Sequence, residues 1–90
     1  MLRAHVIIDG RVQGVFFRQS TWEEARRFGV KGWVRNKRDG TVEAVFEGEE
    51  NPVREMVEWC HQGPPYAVVR SVDLEWEDYQ GEVDGFKIRY

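Results

Sequence analysis

The 90-residue sequence contains only one cysteine, Cys60, along with three prolines and two histidines. A single cysteine excludes a disulfide within the chain and leaves no cysteine cluster for a metal, which is typical of a protein in a reducing compartment. No stretch approaches the roughly 20 apolar residues of a membrane helix, and the first residues, MLRAHV, lack the layout of a signal peptide. We therefore expect a cytoplasmic protein without a membrane segment, folded as a single domain over residues 1–90.

The sequence also has no excess of positive charge. Thirteen Lys and Arg residues against 16 Asp and Glu residues give a net charge of −3, whereas proteins that bind a nucleic-acid backbone are usually basic on one face. Several of the cations gather in the first half of the chain: Arg11, Arg18, Lys31, Arg35, Lys37 and Arg38. This distribution suits a small anion, because a long polyanion would meet the acidic second half. Nucleic acid is therefore not an expected partner.

Aromatic residues are plentiful, with four Trp, five Phe and three Tyr, and their size allows a short chain to build a core. The spacing of apolar residues predicts the order strand, helix, strand, strand, helix, strand, followed by a short last strand. The predicted ranges are 2–9, 20–28, 30–36, 42–47, 52–62, 67–76 and 86–90. A change of parity predicts a bulge near Arg70 and Ser71.

Helix starts are predicted from capping patterns. Ser20 and Thr21 are each followed three residues later by Glu, as in a capping box, which places the first helix start near residue 20 and leaves open a start as early as Phe17. Asn51 and Pro52 have the residue types favoured at the N-cap and first position of the second helix.

This order of elements defines an α+β fold of the split βαβ kind, with a four-stranded sheet and both helices on one face. The helical crossover makes the first two strands run in the same direction, so their C-terminal ends share one edge of the sheet. We therefore expect Asn36 and the turn ending at Gly40 to lie close to the segment that follows the first strand.

That segment, GRVQGVFFR from Gly10 to Arg18, carries the main functional signal. A turn of successive backbone N–H groups and a helix N-terminus both attract anions. Gly10 and Gly14 permit unusual backbone angles and close approach of a ligand. Arg18, near the helix start, suits an anion bound between it and the helix. An ordinary strand-to-helix connection with a solvated arginine fits this stretch equally well when it is taken alone.

Two longer motifs resolve this ambiguity. The first is the run IDGRVQGVFFR, residues 8–18, and the second is GWVRN, residues 32–36, followed by DGTVE, residues 39–43, and Gly48. Together with HQGPP, residues 61–65, and a final Gly85-Phe86-x-Ile88, they make the sequence resemble the acylphosphatases over nearly its whole length.

The resemblance implies a ferredoxin-like fold and a small enzyme that hydrolyses acyl phosphates to carboxylate and inorganic phosphate without a metal or other cofactor. It further implies that Arg18 binds the phosphoryl group and that Asn36 holds the attacking water. The loop backbone would line the phosphate site at these positions: Gln13, Gly14, Val15, Phe16, Phe17 and Arg18. Such an enzyme would act as a monomer and would be inhibited by its product, inorganic phosphate.

The residues present suit this chemistry. Phosphoryl transfer depends mainly on positioning and charge neutralisation, which Arg18 and the loop amides supply. The carboxylate leaving group needs no strong general acid, and Asn36, which does not ionise, would orient water or donate to phosphate.

Three alternatives remain from the sequence. A non-catalytic module that binds or senses a small anion would keep the loop without turnover, and the presence of Asn36 beside Arg18 favours catalysis. RNA binding on the open sheet face would use aromatic residues such as Trp33, but no RNP1-like run is present. Metal-dependent hydrolysis is disfavoured because Asp9 and Asp39 lack partners in ligand spacing.

Overall fold

A computed structural model describes residues 1–90, which form five strands and two helices in the predicted order. The elements are β1 (Leu2–Arg11), α1 (Phe17–Phe28), β2 (Lys31–Asn36), β3 (Val42–Gly48), α2 (Glu50–Gln62), β4 (Val68–Glu77) and β5 (Phe86–Arg89). None of the helices combines the length and the hydropathy that crossing a membrane requires.

The strands form one sheet in the order β4-β1-β3-β2-β5. Because β3 pairs antiparallel with both β1 and β2, these two strands run in the same direction and end at the same edge of the sheet, as predicted. The last strand, β5, pairs parallel with β2 and makes the sheet mixed. The ferredoxin-like α+β fold is therefore confirmed, with a parallel fifth strand added at one side.

The core lies between the helices and one face of the sheet. Alternate residues of β1, Ala4, Val6 and Ile8, are fully buried there, as the period-two pattern predicts. The helices contribute Ala25, Val53, Met56, Val57 and Cys60 to the same cluster. The helical crossovers thus cover one face only and leave the edge where β1 and β2 end open to a ligand.

The first helix begins earlier than its capping patterns predict. It starts at Phe17, the earlier start that the sequence left open, and neither Ser20 nor Thr21 serves as a cap. Thr21 is buried, and its hydroxyl donates to the Phe17 carbonyl oxygen at 2.7 Å. The Phe17 ring packs against Trp59 of α2, with 5.5 Å between ring centroids. Packing of this ring against α2 therefore favours a helix start at Phe17 over the starts that the capping patterns of Ser20 and Thr21 predict.

The second helix also begins before its predicted cap. It starts at Glu50, so Asn51 and Pro52 lie inside the first turn and the prediction of Asn51 as N-cap is wrong. Proline is compatible with this turn because the first N–H groups of a helix have no intrahelical acceptor. The predicted ends of both helices at Gly29 and Gly63 are confirmed, and both glycines have positive φ.

The predicted bulge is confirmed at Arg70. Asp9 pairs with Ser71 whereas Gly10 pairs with Val69, so Arg70 is the extra residue of β4. Gly10 has φ 135°, and a Cβ atom there would lie 2.1 Å from the Val68 carbonyl oxygen. Gly10 therefore belongs to β1, where the lack of a side chain leaves room for the bulge of β4. The prediction that Gly10 belongs to the anion-binding loop is wrong.

Candidate active site

A cavity of about 260 Å³ opens at the edge where β1 and β2 end. One side, here called the loop wall, comes from the segment after β1 and the first turn of α1: Val12, Gly14, Phe16, Phe17, Arg18 and Gln19. The other side, here called the strand wall, comes from β2 and the chain end at β5: Asn36, Ile88 and Tyr90. The two candidate residues from distant parts of the sequence, Arg18 and Asn36, thus face one space.

The loop wall is rich in backbone N–H groups without backbone acceptors. None of the N–H groups of residues 13–19 donates to a backbone carbonyl, and the first that does is Ser20, which donates to the Phe16 oxygen at 3.0 Å. The first turn of any helix leaves such donors free, and here the preceding loop adds more. This set of donors carries partial positive charge and favours an anion.

Two residues with positive φ shape the loop. Gly14 has φ 74° and Phe16, the residue before α1, has φ 65° and ψ 25°. Left-handed residues in a turn direct successive N–H groups into one concavity, a form known to bind anions. Gly14 adopts this conformation at no steric cost, whereas Phe16 is strained there.

Arg18 supplies the only charged side chain of the cavity lining. No carboxylate of the chain lies within salt-bridge distance of its guanidinium, since Arg18 is absent from all seven ion pairs of the structure. The guanidinium carbon instead lies 4.9 Å from the centre of the Tyr90 ring. Its donors therefore remain available to a ligand anion.

Asn36 lines the same cavity and carries an unsatisfied acceptor. Its side-chain oxygen Oδ1 is buried and has no hydrogen-bond partner in the protein. Buried polar atoms are nearly always paired, so an unpaired one needs an explanation. An oxygen of this kind can accept a hydrogen bond from a water molecule held beside a bound anion.

Gln13 lies on the loop but binds elsewhere. Its side-chain nitrogen Nε2 donates to the carbonyl oxygens of Lys37 at 2.7 Å and Thr41 at 3.0 Å. These bonds join the loop to the turn directly after Asn36, which brings loop and turn together as the topology predicts. The side chain of Gln13 thus fixes the position of the loop relative to the end of β2.

The predicted site residues therefore separate into two groups. The structure places Gly14, Phe16, Phe17, Arg18 and Asn36 on one cavity, whereas Gln13 and Val15 are not part of its lining. Val15 is 5% exposed and belongs to the core.

The sequence did not indicate Ile88 and Tyr90 as lining residues. The alternating pattern of the last strand was visible, but its parallel pairing with β2 was not, and this pairing carries both residues to the cavity.

The titratable groups Cys60 and Glu43 do not line the cavity, and the ionisation state of each fits a structural role. Burial raises the pKa of the Cys60 thiol, so it stays protonated as a core residue. Burial also tends to raise the pKa of Glu43, but hydrogen bonds from His5 and Arg35 outweigh it and keep the pKa below its usual value. Glu43 therefore stays ionised. No three His, Cys, Asp or Glu side chains converge as metal ligands would.

Fold and site together define a ferredoxin-like α+β domain with a cavity at one edge of its sheet, lined by free N–H groups and an arginine that suit a small anion. An acylphosphatase family model matches residues 4–88. The chain is 56% identical over 88 residues to an acylphosphatase of Pelotomaculum thermopropionicum, covering 98% of this chain and 96% of that protein. It is 59% identical over 88 residues to an acylphosphatase of Roseiflexus sp., covering 98% and 95% of the two chains.

A solved structure shows the same relationship. The acylphosphatase from Bacillus subtilis superimposes on the whole of both chains with a TM-score of 0.95 and 38% sequence identity. The chain belongs to the acylphosphatase family. It is a hydrolase that acts on acyl phosphates.

Proposed function

We propose that the enzyme holds the phosphoryl group of an acyl phosphate between Arg18 and the loop N–H groups while Asn36 positions the attacking water, without a metal ion. The observation that carries this proposal is that one cavity is lined both by Asn36, whose buried oxygen Oδ1 is unpaired, and by Arg18, which has no carboxylate partner. The oxygen lacks a hydrogen-bond partner and the guanidinium lacks an ionic partner within the protein, and an acyl phosphate with a water molecule would supply both.

The phosphoryl oxygens carry the charge that the site must neutralise. During transfer this charge spreads over the three equatorial oxygens, which the loop amides and the Arg18 guanidinium would contact. The guanidinium offers two parallel N–H donors that match two of these oxygens. Because these donors are already fixed by the loop and the helix start, little reorganisation accompanies the reaction.

The water oxygen then forms a bond to phosphorus as the bond from phosphorus to the acyl oxygen breaks. One acyl phosphate dianion and one water give one carboxylate and one dihydrogen phosphate, so atoms and charge balance. Asn36 accepts a hydrogen bond from the water but takes no proton, because its amide does not ionise near neutral pH. The proton passes to the transferred phosphate, and the weakly basic carboxylate leaves without a general acid.

We also propose that the enzyme is inhibited by inorganic phosphate and acts as a monomer in the cytoplasm. A phosphate ion has the oxygens that the site binds and would compete with substrate as product and inhibitor. Residues 1–90 would act as one domain and as a monomer. Cys60 is a free, buried thiol, which is compatible with the cytoplasm. Light scattering of the purified protein would test the monomeric state.

One assay tests the proposed mechanism. The purified protein should release phosphate from benzoyl phosphate at an undiminished rate in the presence of excess EDTA, and inorganic phosphate should inhibit competitively. Loss of activity with EDTA and recovery on adding a divalent metal would contradict the metal-independent mechanism. Tight phosphate binding without any turnover would favour the anion-binding module instead.

A further inference from the structure

The side chain of Gln13 makes the only hydrogen bonds between the loop of residues 12–16 and the turn of residues 37–41. Its nitrogen Nε2 donates to the carbonyl oxygens of Lys37 at 2.7 Å and of Thr41 at 3.0 Å. Both partners can only accept, and the amide nitrogen has two N–H groups, so both of its donors are used. The Gln13 side chain is therefore a defined connection between two segments that are distant in sequence.

These two segments carry the two parts of the proposed site. The loop leads into the N–H donors and Arg18, and Lys37 directly follows Asn36 at the end of β2. Strand pairing does not join the ends of β1 and β2 to each other, because β3 lies between the two strands. The bonds from Gln13 therefore bridge the gap between the anion-binding loop and the end of β2.

The position of the Asn36 oxygen depends on this end of β2. Oδ1 of Asn36 has no hydrogen-bond partner in the protein, so its place follows from the backbone that carries it. The turn after it is closed, since the Lys37 N–H donates to the Thr41 oxygen at 2.8 Å and the Thr41 N–H donates to the Asp39 carboxylate at 3.0 Å. A closed turn moves as one unit with the end of the strand, and Gln13 ties that unit to the loop.

We propose that Gln13 is a positioning residue that acts through Asn36, because its two hydrogen bonds set the distance between the bound phosphoryl group and the attacking water. This inference rests on the proposed function. The attacking oxygen must lie in line with the breaking bond at phosphorus, and a displacement of about 1 Å can lower a rate roughly 100-fold. The Gln13 side chain does not line the cavity, so it contributes by placement alone.

The first test removes the two donors. Gln13→Met has a side chain of similar length and keeps the backbone N–H, but it cannot donate to the two carbonyl oxygens. We expect kcat for benzoyl phosphate, per folded protein as measured by urea unfolding, to fall about 10-fold. The inhibition constant of inorganic phosphate should stay within about 2-fold of the wild-type value, because the loop donors and Arg18 belong to one continuous segment.

Two further variants accompany Gln13→Met. Gln13→Asn keeps an amide that is one methylene shorter and cannot reach both carbonyl oxygens, so it should show the same fall in kcat with little change in phosphate inhibition. Gln62→Met is the matched control. Gln62 is the exposed last residue of α2, and its replacement should leave kcat and phosphate inhibition unchanged.

The second test repeats Gln13→Met in the Asn36→Ala protein. A residue that acts through Asn36 has nothing to position once that amide is gone, so the double variant should have the kcat of Asn36→Ala alone. A residue that only supports the fold would lower kcat by the same factor in both backgrounds. The double variant therefore separates positioning from a structural role.

The outcomes also separate this inference from the proposed function. Asn36→Ala alone tests the proposed water site, and a kcat equal to that of the wild type there would overturn the water site and the role of Gln13 together. With kcat reduced in Asn36→Ala, three results would overturn the role of Gln13 only. They are an unchanged kcat in Gln13→Met, a loss of phosphate inhibition as large as the loss of kcat, and equal effects of Gln13→Met in the two backgrounds.

Discussion

At the scale of single residues, Arg18 is notable because the protein leaves its charge without a carboxylate partner. Arg3 shows the contrast, since it forms ion pairs with Glu47 at 3.1 Å and Glu77 at 2.8 Å. An unpaired arginine at a set of free N–H donors keeps its planar fork for a ligand.

Arg18→Lys tests that use of the planar fork. Lysine keeps the charge but offers a point donor instead of two parallel N–H groups, so we expect kcat/KM for benzoyl phosphate to fall roughly 100-fold or more. Arg54→Lys is a matched control, because Arg54 is an exposed helix residue paired with Glu50, and its activity should equal that of the wild type. Near-normal kinetics in Arg18→Lys would reject the bidentate contact.

Asn36 gives a different prediction because it is proposed to hold water instead of phosphate. Asn36→Ala should lower kcat by about 100-fold while the inhibition constant of inorganic phosphate changes little. Asn51→Ala, an exposed amide on α2, serves as the control with unchanged kcat. If phosphate inhibition weakened as much as kcat, Asn36 would be a residue of the phosphate site itself.

Some features of this site can be predicted from the sequence and others cannot. Arg18 and Asn36 come together because strand direction follows from the order of elements, and that order is visible in periodicity. The direction in which the Gln13 side chain points depends on contacts between the loop and the turn after β2, and the residue type of Phe16 does not predict its left-handed backbone. No local pattern encodes those contacts.

At the scale of elements, β2 matters most because it carries Asn36 to the cavity. β2 has no room for a side chain at Gly32. This residue has φ 141°, and a Cβ atom added to it would lie 1.8 Å from the Val45 carbonyl oxygen of β3. The N–H of Gly32 also donates to the Gly85 oxygen at 3.0 Å. Gly32 therefore lets β2 lie between β3 and the start of β5.

Gly32→Ala should consequently destabilise the fold strongly. We expect the free energy of unfolding to fall by roughly 3 kcal/mol or more, because backbone atoms must move as well as φ. Gly29→Ala is the matched control: Gly29 has φ 73° but no neighbour within 4 Å of the added Cβ, so only the cost of about 1–2 kcal/mol for a left-handed residue applies. Equal losses in urea unfolding of the two variants would contradict the close approach at Gly32.

The elements themselves were predictable in type and order but less so at their ends. The capping boxes at Ser20 and Thr21 compete with burial of Phe17 against Trp59, and the larger packing energy of the aromatic ring decides the start of α1. The place of β5 beside β2 was not predictable, because four alternating residues indicate a strand but not its neighbour.

At the scale of the whole molecule, ion pairs and hydrogen bonds to carboxylates connect the strands on the sheet face away from the helices. Glu47 is only 2% exposed and accepts hydrogen bonds from Arg3 and from the N–H groups of Gln80 at 2.8 Å and Gly81 at 3.4 Å. The segment between β4 and β5 is thereby attached to β3. Glu47 thus joins β1, β3 and the chain that leads to β5 and the cavity.

The ionisation of Glu47 links this arrangement to pH. Burial tends to raise the pKa of Glu47, but hydrogen bonds from Gln80, Arg3 and Gly81 outweigh it, so the folded-state pKa lies below the ordinary value of 4.5. The unfolded chain therefore binds the proton more readily. The stabilisation is complete above pH 4.5 and is lost as the pH falls through the lower folded-state pKa.

Glu47→Gln should remove the contribution of this carboxylate to the pH dependence of stability. At pH 7 we expect the variant to lose about 3 kcal/mol of unfolding free energy, because Arg3 loses a buried anionic partner and keeps only Glu77. Between pH 5 and pH 3 the wild type should lose stability faster, so that the difference narrows in urea unfolding followed by tryptophan fluorescence. Glu58→Gln, an exposed glutamate without an ion pair, should match the wild type within about 0.5 kcal/mol at each pH. A difference between Glu47→Gln and wild type that stays constant from pH 7 to pH 3 would show that packing, not the carboxylate charge, holds the segment on the sheet.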